Sequence, residues 1–307
     1  MKYSNAPVFI GRANENTVNE TEAFFLAKDV SVDYPTSIEA KRKLGKSIDN
    51  DDQFTFSGPS VVSIDLNFYV HSEYWEMGWT GALINQASYL FLYDTFPINS
   101  VEYGNATGAN SFPIKIGNNM FGACKLNEIS YSIRPFEPVM GKASFSCFNP
   151  PRQETISGDY SVSDASIDAS MDANRVIYGN TCVVSNAGQV VSDTVLSSIS
   201  YSKKYNRSPI YGIGSTLPVR YLVDKVEADM TIESTGLASL IDYSGAKLTS
   251  DITVSLLDHS ASGIAPSGEN SALSISFPSG ARVTSEKYSV GEGDFVSSSV
   301  EIKHILV

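Results

Sequence analysis

Residues 124–148 and 281–305 carry the same pattern of apolar and polar positions, without a gap, at an offset of 157 residues. Leu126 falls on Val283, Tyr131 on Tyr288, Ser132 on Ser289, Ile133 on Val290, Val139 on Val296, Ala143 on Val300 and Phe145 on Ile302. Only three of the 25 pairs are identical, so alternation rather than identity carries the match. Apolar and polar residues alternate in both stretches, as they do in a strand with one face buried. The apolar phase then slips by one residue, between Leu126 and Tyr131 and again between Val283 and Tyr288. A slip at the same place twice predicts one β-hairpin used twice, with a bulge in its first arm.

The segments before each hairpin also correspond. In the second half, residues 195–205 alternate, with Leu196 out of phase and Ile199 and Tyr201 sharing a face. The Gly- and Pro-rich run NRSPIYGIGSTLPV predicts a long loop. Residues 219–233 resume alternation, with Val226, Ala228, Met230 and Ile232 inward and Lys225, Glu227, Asp229, Thr231 and Glu233 outward. TGLASLIDYSG predicts a short helix that starts near Thr235 and ends before Gly245. Strands at 250–257 and 271–277 precede the hairpin.

In the first half, Val30, Ser31 and Val32 lie over Ile199, Ser200 and Tyr201 at an offset of 169. Residues 61–70 match the charged-face strand, with Val62, Ile64, Leu66 and Phe68 inward and Ser63, Asp65 and Asn67 outward. Thr80–Gly81 match Thr235–Gly236 at an offset of 155, which places about 14 extra residues between Gly45 and Thr80. The pattern therefore predicts an all-β, mainly antiparallel chain of two tandem β-sandwich or barrel-like domains, each with one short helix. The expected divisions are an N-terminal arm over 1–20, a first domain over 21–150, a polar linker over 151–180 and a second domain over 181–307.

Composition supports this picture and narrows the function classes. A chain of 307 residues, 42% apolar, can bury two cores of ordinary size. Its 16 Tyr and 15 Phe favour strands. The net charge of −12 disfavours ordinary DNA binding, which neutralises phosphates with Lys and Arg. It suits a soluble surface, or one that a polyanion passes without sticking. No apolar run reaches the length of a membrane-spanning helix, and residues 1–16 lack the apolar core of a signal peptide, so folding in a cytoplasm is expected. Three cysteines build no disulfide framework. Cys124 and Cys147 lie about equally far from Pro135–Phe136, so they are expected as free thiols facing each other across the hairpin.

Candidate chemistry is sparse. His71, His259 and His304 are scattered, without a carboxylate or Cys at ligand spacing. GIGS at 212–215 lacks the Lys and the strand-to-helix setting of a phosphate loop. Asp224, Glu227 and Asp229 sit on an alternating strand and lack the Gly and terminal Glu of an EF-hand loop. The basic cluster Lys41, Arg42 and Lys43 reads as a surface or subunit contact, and the aromatic stretch 74–96 as core or as a subunit contact. No catalytic, cofactor-binding or metal-ligating residue is nominated.

The second half resembles bacteriophage tail tube domains. The resemblance rests on VLSSISYSKKYNRSPIYGIGSTLP, then VEADMTIES, then the closing hairpin SGARVTSEKYSVGEGDFVSSSVEIKHI. It reaches the first half only through the internal repeat. It implies a structural virion protein, not an enzyme, whose inner sheets join neighbours into rings that stack into a hollow tube in a phage tail, assembled in the host cytoplasm. The resemblance places Asp65, Asn67, Lys225, Glu227, Asp229 and Glu233 toward the lumen. It assigns Lys41, Arg42, Lys43, Arg207 and Tyr211 to inter-subunit or inter-ring loops. The implied partners are further copies of the chain, the tape measure protein and transiting DNA in the lumen, and a sheath if the tail contracts. No membrane and no cofactor is implied. Two domains per chain imply a trimeric ring with pseudo-sixfold symmetry, with a hexamer as the other stoichiometry. A baseplate hub with tandem tube domains, a tandem β-sandwich ligand-binding module and a glycan-active enzyme are the competing readings, the last requiring a carboxylate pair across a cleft.

Overall fold

The computed structural model describes residues 6–11, 18, 24–25, 27–34, 38–40, 54–56, 61–70, 101–103, 112–147, 151–154, 176–191, 195–213, 218–236, 245–259, 266–290 and 296–306. In chain order the strands are β1 (Val8–Ile10), β2 (Phe24–Phe25), β3 (Asp29–Asp33), β4 (Ile38–Ala40), β5 (Phe54–Phe56), β6 (Val62–Tyr69), β7 (Val101–Tyr103), β8 (Phe112–Ile116) and β9 (Asn119–Ile133). They continue with β10 (Met140–Cys147), β11 (Arg152–Gln153), β12 (Cys182–Ser185), β13 (Val195–Tyr211), β14 (Pro218–Gly236), β15 (Ile252–His259), β16 (Pro266–Phe277), β17 (Arg282–Val290) and β18 (Val296–Leu306). The all-β, antiparallel class is as the alternation predicts.

Among the described residues thirteen strands form one sheet, with the main path β17-β18-β14-β13-β9-β10-β6-β3. That path is a four-strand unit used twice. The first half contributes β3-β6-β10-β9 and the second β13-β14-β18-β17, and the units meet where β9 pairs with β13. The registers agree residue by residue. Val30 faces Leu66, Leu66 faces Ala143 and Ala143 faces Ile129 in the first unit. Ile199, Ile232, Val300 and Glu286 form the same row in the second. The bulge also falls where the phase slip puts it. Phe145 pairs with Leu126 and Ser144 with Glu128, leaving Asn127 over, while Ile302 pairs with Val283 and Glu301 with Ser285, leaving Thr284 over. Each extra residue bonds back to the partner strand, Asn127 Nδ2 to Ser146 Oγ at 2.5 Å and Thr284 Oγ1 to the Glu301 carbonyl at 3.3 Å.

Several boundaries differ from expectation. Val8, Phe9 and Ile10, assigned to an arm, are a buried strand between β2 and β8. Their short apolar run has no alternation to announce it. The predicted loop at 206–219 is mostly strand, because β13 and β14 stay paired from Asn206 to Tyr211 across two further register shifts. The predicted linker is not free at its ends. Arg152–Gln153 pair with β9, and Val176 and Ile177 are fully buried, with the Ile177 amide bonded to Val70 O and its carbonyl accepting from Val139 N. Thr235 and Gly236, expected to open a helix, end strand β14. The rest of both predicted helices lies outside the described residues, among which helix is limited to 3-10 turns at Gly179–Thr181 and Ala187–Gln189. Among the described residues the large sheet is open, ending at β3 and β17, rather than closed into a barrel. The registers also divide the extra length of the first half between two places. Leu66 answers to Ile232 at 166, so the first half is already longer before β6, and further length enters before β9.

One face of the sheet is the core. Ile64, Leu66, Phe68, Leu126, Ile129, Tyr131, Ile199, Tyr201, Met230, Ile232 and Ile302 join Val254, Leu256, Ile275 and Phe277 of the three-stranded sheet β12-β15-β16 in one apolar cluster. Both halves thus share a single core, and a ladder of rings crosses it. Phe68 meets Tyr131 edge-on, Tyr131 stacks on Tyr201 at 6.5 Å, and Tyr201 meets Phe277 edge-on. Burying each such ring stabilises the fold by about 1.5–3 kcal/mol. Gly141 makes the ladder fit, because a Cβ there would stand 2.4 Å from two ring carbons of Phe68. Phe68 is fully buried and held by Tyr131, so it has nowhere to swing. Gly141→Ala is therefore expected to cost about 1–3 kcal/mol through overpacking. A lowered urea midpoint, partly restored by Phe68→Leu in the double variant, is the outcome to look for.

Candidate assembly surface

The other face of the large sheet is polar, and the register determines which groups meet on it. Asp65 and Asn67 come from β6, and Lys225, Glu227, Asp229 and Glu233 from β14; all alternate with buried residues, so the sheet turns them to one side. The structure also gives each of these carboxylates a partner that sequence spacing does not reveal. Lys142 Nζ lies 3.3 Å from Asp65 Oδ2, and Ser144 donates to Asp65 as well. Lys225 Nζ lies 2.8 Å from Glu227 Oε1, and Asn206 Nδ2 donates to its other oxygen at 3.3 Å. Lys303 Nζ lies 3.3 Å from Asp229 Oδ1, and Ser198 Oγ donates to Glu233 at 2.5 Å. Lys204 and Glu128 add a pair across the seam between the halves, at 3.7 Å.

These pairings set the titration. The Lys225 ammonium, with help from Asn206, holds the Glu227 carboxyl below its usual range. The Asp229 carboxylate raises the Lys303 ammonium. The face is therefore a mosaic of both signs rather than a plain acidic lining. Between the ion pairs lie hydroxyls. Ser130, Ser132, Ser200 and Ser202 floor a shallow groove of about 310 Å³ along the seam, with Lys142 and Asp229 at its sides. It offers hydroxyls for hydrogen bonding. Among the described residues no group of three His, Cys, Asp or Glu is arranged to hold a metal ion.

The far end of β13 and β14, where β7 pairs with Arg220–Leu222, is the second exposed feature. Ile210, Tyr211, Val219 and Leu222 are 40–48% exposed, and Ile213, beside Gly212, is fully exposed. Tyr211 is thus the last residue of strand β13. Arg207 is also on the strand, and it is engaged within the chain: its guanidinium donates to the Leu126 carbonyl and lies 5.1 Å from the Tyr205 ring centroid. It clamps the two halves beside their seam. The short pair β4-β5 occupies the corresponding place in the first half. Lys41, Arg42 and Lys43 follow β4 and lie outside the described residues, as does the aromatic stretch 74–96.

The cysteines need no ligand to explain them. Cys124 and Cys147 face each other across β9 and β10, both buried, with free thiols. Burial, and then Cys147, push the Cys124 thiol well above its usual value. Burial alone raises Cys182 to about 11. His304, on β18 opposite Ala228 and two residues before the strand ends, is half-buried.

Comparisons of the chain with known protein families and with curated proteins return no match.

Two outcomes follow from the titration. Cys124 and Cys182 are expected to resist a thiol reagent at neutral pH in the native protein and to react on denaturation, since the thiolate is the reactive form. Native-state labelling of either at the rate of a free thiol would contradict the burial described. Because Glu227 has a lowered folded pKa, its stabilising contribution is present above its ordinary value of 4.5 and is lost as pH falls through the folded value. Glu227→Gln should thus be slightly less stable than the parent at pH 7, by the small amount typical of exposed pairs. The difference in urea midpoint should vanish in acid.

Proposed function

We propose that this chain is a structural subunit of a bacteriophage tail tube, whose copies join edge to edge into rings that stack around a DNA-conducting channel. The observation that carries the reading is the four-strand unit used twice in one continuous sheet, joined edge to edge inside the chain and, among the described residues, ending in an edge on either side. A chain that already joins two of its units in this way has the geometry to continue the pattern with neighbours. Closing the circle covers edges that would otherwise invite uncontrolled pairing. Two units per chain favour three chains around the ring.

In this reading the mosaic face looks into the channel, with Asp65, Asn67, Lys225, Glu227, Asp229 and Glu233 on its surface. Phosphates bind where Lys and Arg stand ready to displace counterions. Here Lys142, Lys225 and Lys303 are engaged with carboxylates, and hydroxyls fill the space between. Such a wall wets well and holds DNA weakly. The same lumen would contain the tape measure protein before ejection, and a sheath would surround the tube if the tail contracts. The far end of the β13–β14 pair, with Ile210, Ile213 and Leu222 exposed, supplies an apolar contact for the next ring along the axis. The protein would fold in the host cytoplasm and end in the virion.

Negative-stain imaging of the purified protein tests the reading, with rings or hollow tubes expected. A monodisperse monomer at every concentration and salt would overturn it in favour of a ligand-binding module. The double variant Ile213→Asp, Leu222→Asp is expected to leave rings intact and to shorten or abolish tubes.

A further inference from the structure

The seam inside the chain is a template for one between chains. Building on the tube reading, we infer that the outer edge of β17 and the outer edge of β3 of a second copy form one antiparallel seam in the register of β9 and β13. The internal seam pairs Ile133 with Ile199, Ser132 with Ser200, Tyr131 with Tyr201 and Ser130 with Ser202. The repeat carries β9 onto β17 at an offset of 157 and β13 onto β3 at 169, and the shared rows through Leu66 and Ile232 show that both offsets hold in space. The transferred register sets Val290 against Val30, Ser289 against Ser31, Tyr288 against Val32 and Lys287 against Asp33.

Three observations support this assignment. First, the edges are prepared alike. The start of β9 is covered by β8, leaving the stretch from Glu128 to Ile133 for β13. The start of β17 is likewise covered, since Val283 exchanges backbone bonds with Gly245 and Ala246. The stretch beyond it, 285–290, is the counterpart of 128–133, and among the described residues it ends the sheet. Second, equivalent residues differ in exposure as an unfilled seam requires. Tyr131 is 2% exposed and its counterpart Tyr288 is 37% exposed. Ile199 and Tyr201 are buried, whereas Val30 and Val32 on β3 are only half-buried at the rim of the core. Third, the charges are complementary. Asp33 and Lys287, both exposed, come opposite each other where the internal seam has two serines. Asp29 and Asp33 on one edge discourage β3 from pairing with another β3, so the seam is head-to-tail, the arrangement that makes rings.

Mixing experiments with the full chain test this. Copies carrying Ser31→Cys are combined with copies carrying Ser289→Cys and treated with a mild oxidant, with Ser285→Cys as the off-register control. Disulfide dimers are expected for the first mixture and not for the control. In parallel, Asp33→Lys or Lys287→Asp alone should raise the concentration needed for ring assembly about tenfold, as like charges placed opposite each other oppose pairing. The two changes in one chain should restore assembly. Rings that form but cross-link only through Ser285→Cys, or that ignore the single reversals, would overturn the register and leave the tube reading standing. Absence of rings from the parent protein at any concentration would remove that reading itself. Circular dichroism of each variant separates failed assembly from failed folding, and both charged side chains lie at the surface, where substitution leaves the core untouched.

Discussion

Backbone pairing between β9 and β13 is the constraint on which the rest of the structure depends. A strand edge leaves a row of amides and carbonyls that must find partners, and here one half of the chain supplies them to the other. That ladder places Tyr131 beside Tyr201 on the core side, their rings nearly parallel, and Ser130 against Ser202 on the polar side. It thereby makes one sheet, one apolar cluster and one mosaic face out of two repeated units. Arg207 reinforces it from the side by bonding to Leu126. Without the ladder each unit would have two loose borders and half a core.

The polar face and the apolar face carry different kinds of energy. Rings and branched aliphatic residues under the sheet supply most of the stabilisation, because apolar burial is worth far more than an exposed ion pair. The lysine–carboxylate pairs contribute little to folding and instead set the character of the surface. Each cation that leans on a carboxylate is withdrawn from phosphate binding, and each carboxylate so engaged repels less. The net charge of the whole chain is thus a poor guide to this particular face. The net charge of −12 sums every residue of the chain, whereas on this face Asp65, Glu227 and Asp229 are each paired with a lysine.

What was legible in the sequence follows from what leaves a one-dimensional trace. A bulge changes the phase of alternation, so Asn127 and Thr284 announce themselves in Leu126–Tyr131 and Val283–Tyr288. Inward and outward residues of β6 and β14 are equally plain, because their alternation is strict. Pairing between β9 and β13 leaves no such trace, since any two alternating strands can in principle lie side by side. The partners Lys142 and Lys303 are hidden for the same reason, being adjacent to Asp65 and Asp229 only across strands. Pro209 and Gly212 misdirect, suggesting a loop where Pro209 sits within the pairing with Tyr221. Val8–Ile10 is too short and too uniformly apolar to declare a period.

The seam also has a consequence for synthesis on the ribosome. The first unit emerges complete with its hairpin well before β13 is made, since residues 195–211 follow the whole of β10 and the segment after it. Until then the nascent chain presents the bare side of β9, with Tyr131 and Ile133 open to water, to every other nascent chain nearby. Premature pairing with a foreign strand competes with waiting for the correct one, and crowding on a polysome favours the error. A translation pause within the intervening segment would lengthen that exposure, so brisk elongation through it protects the protein's yield.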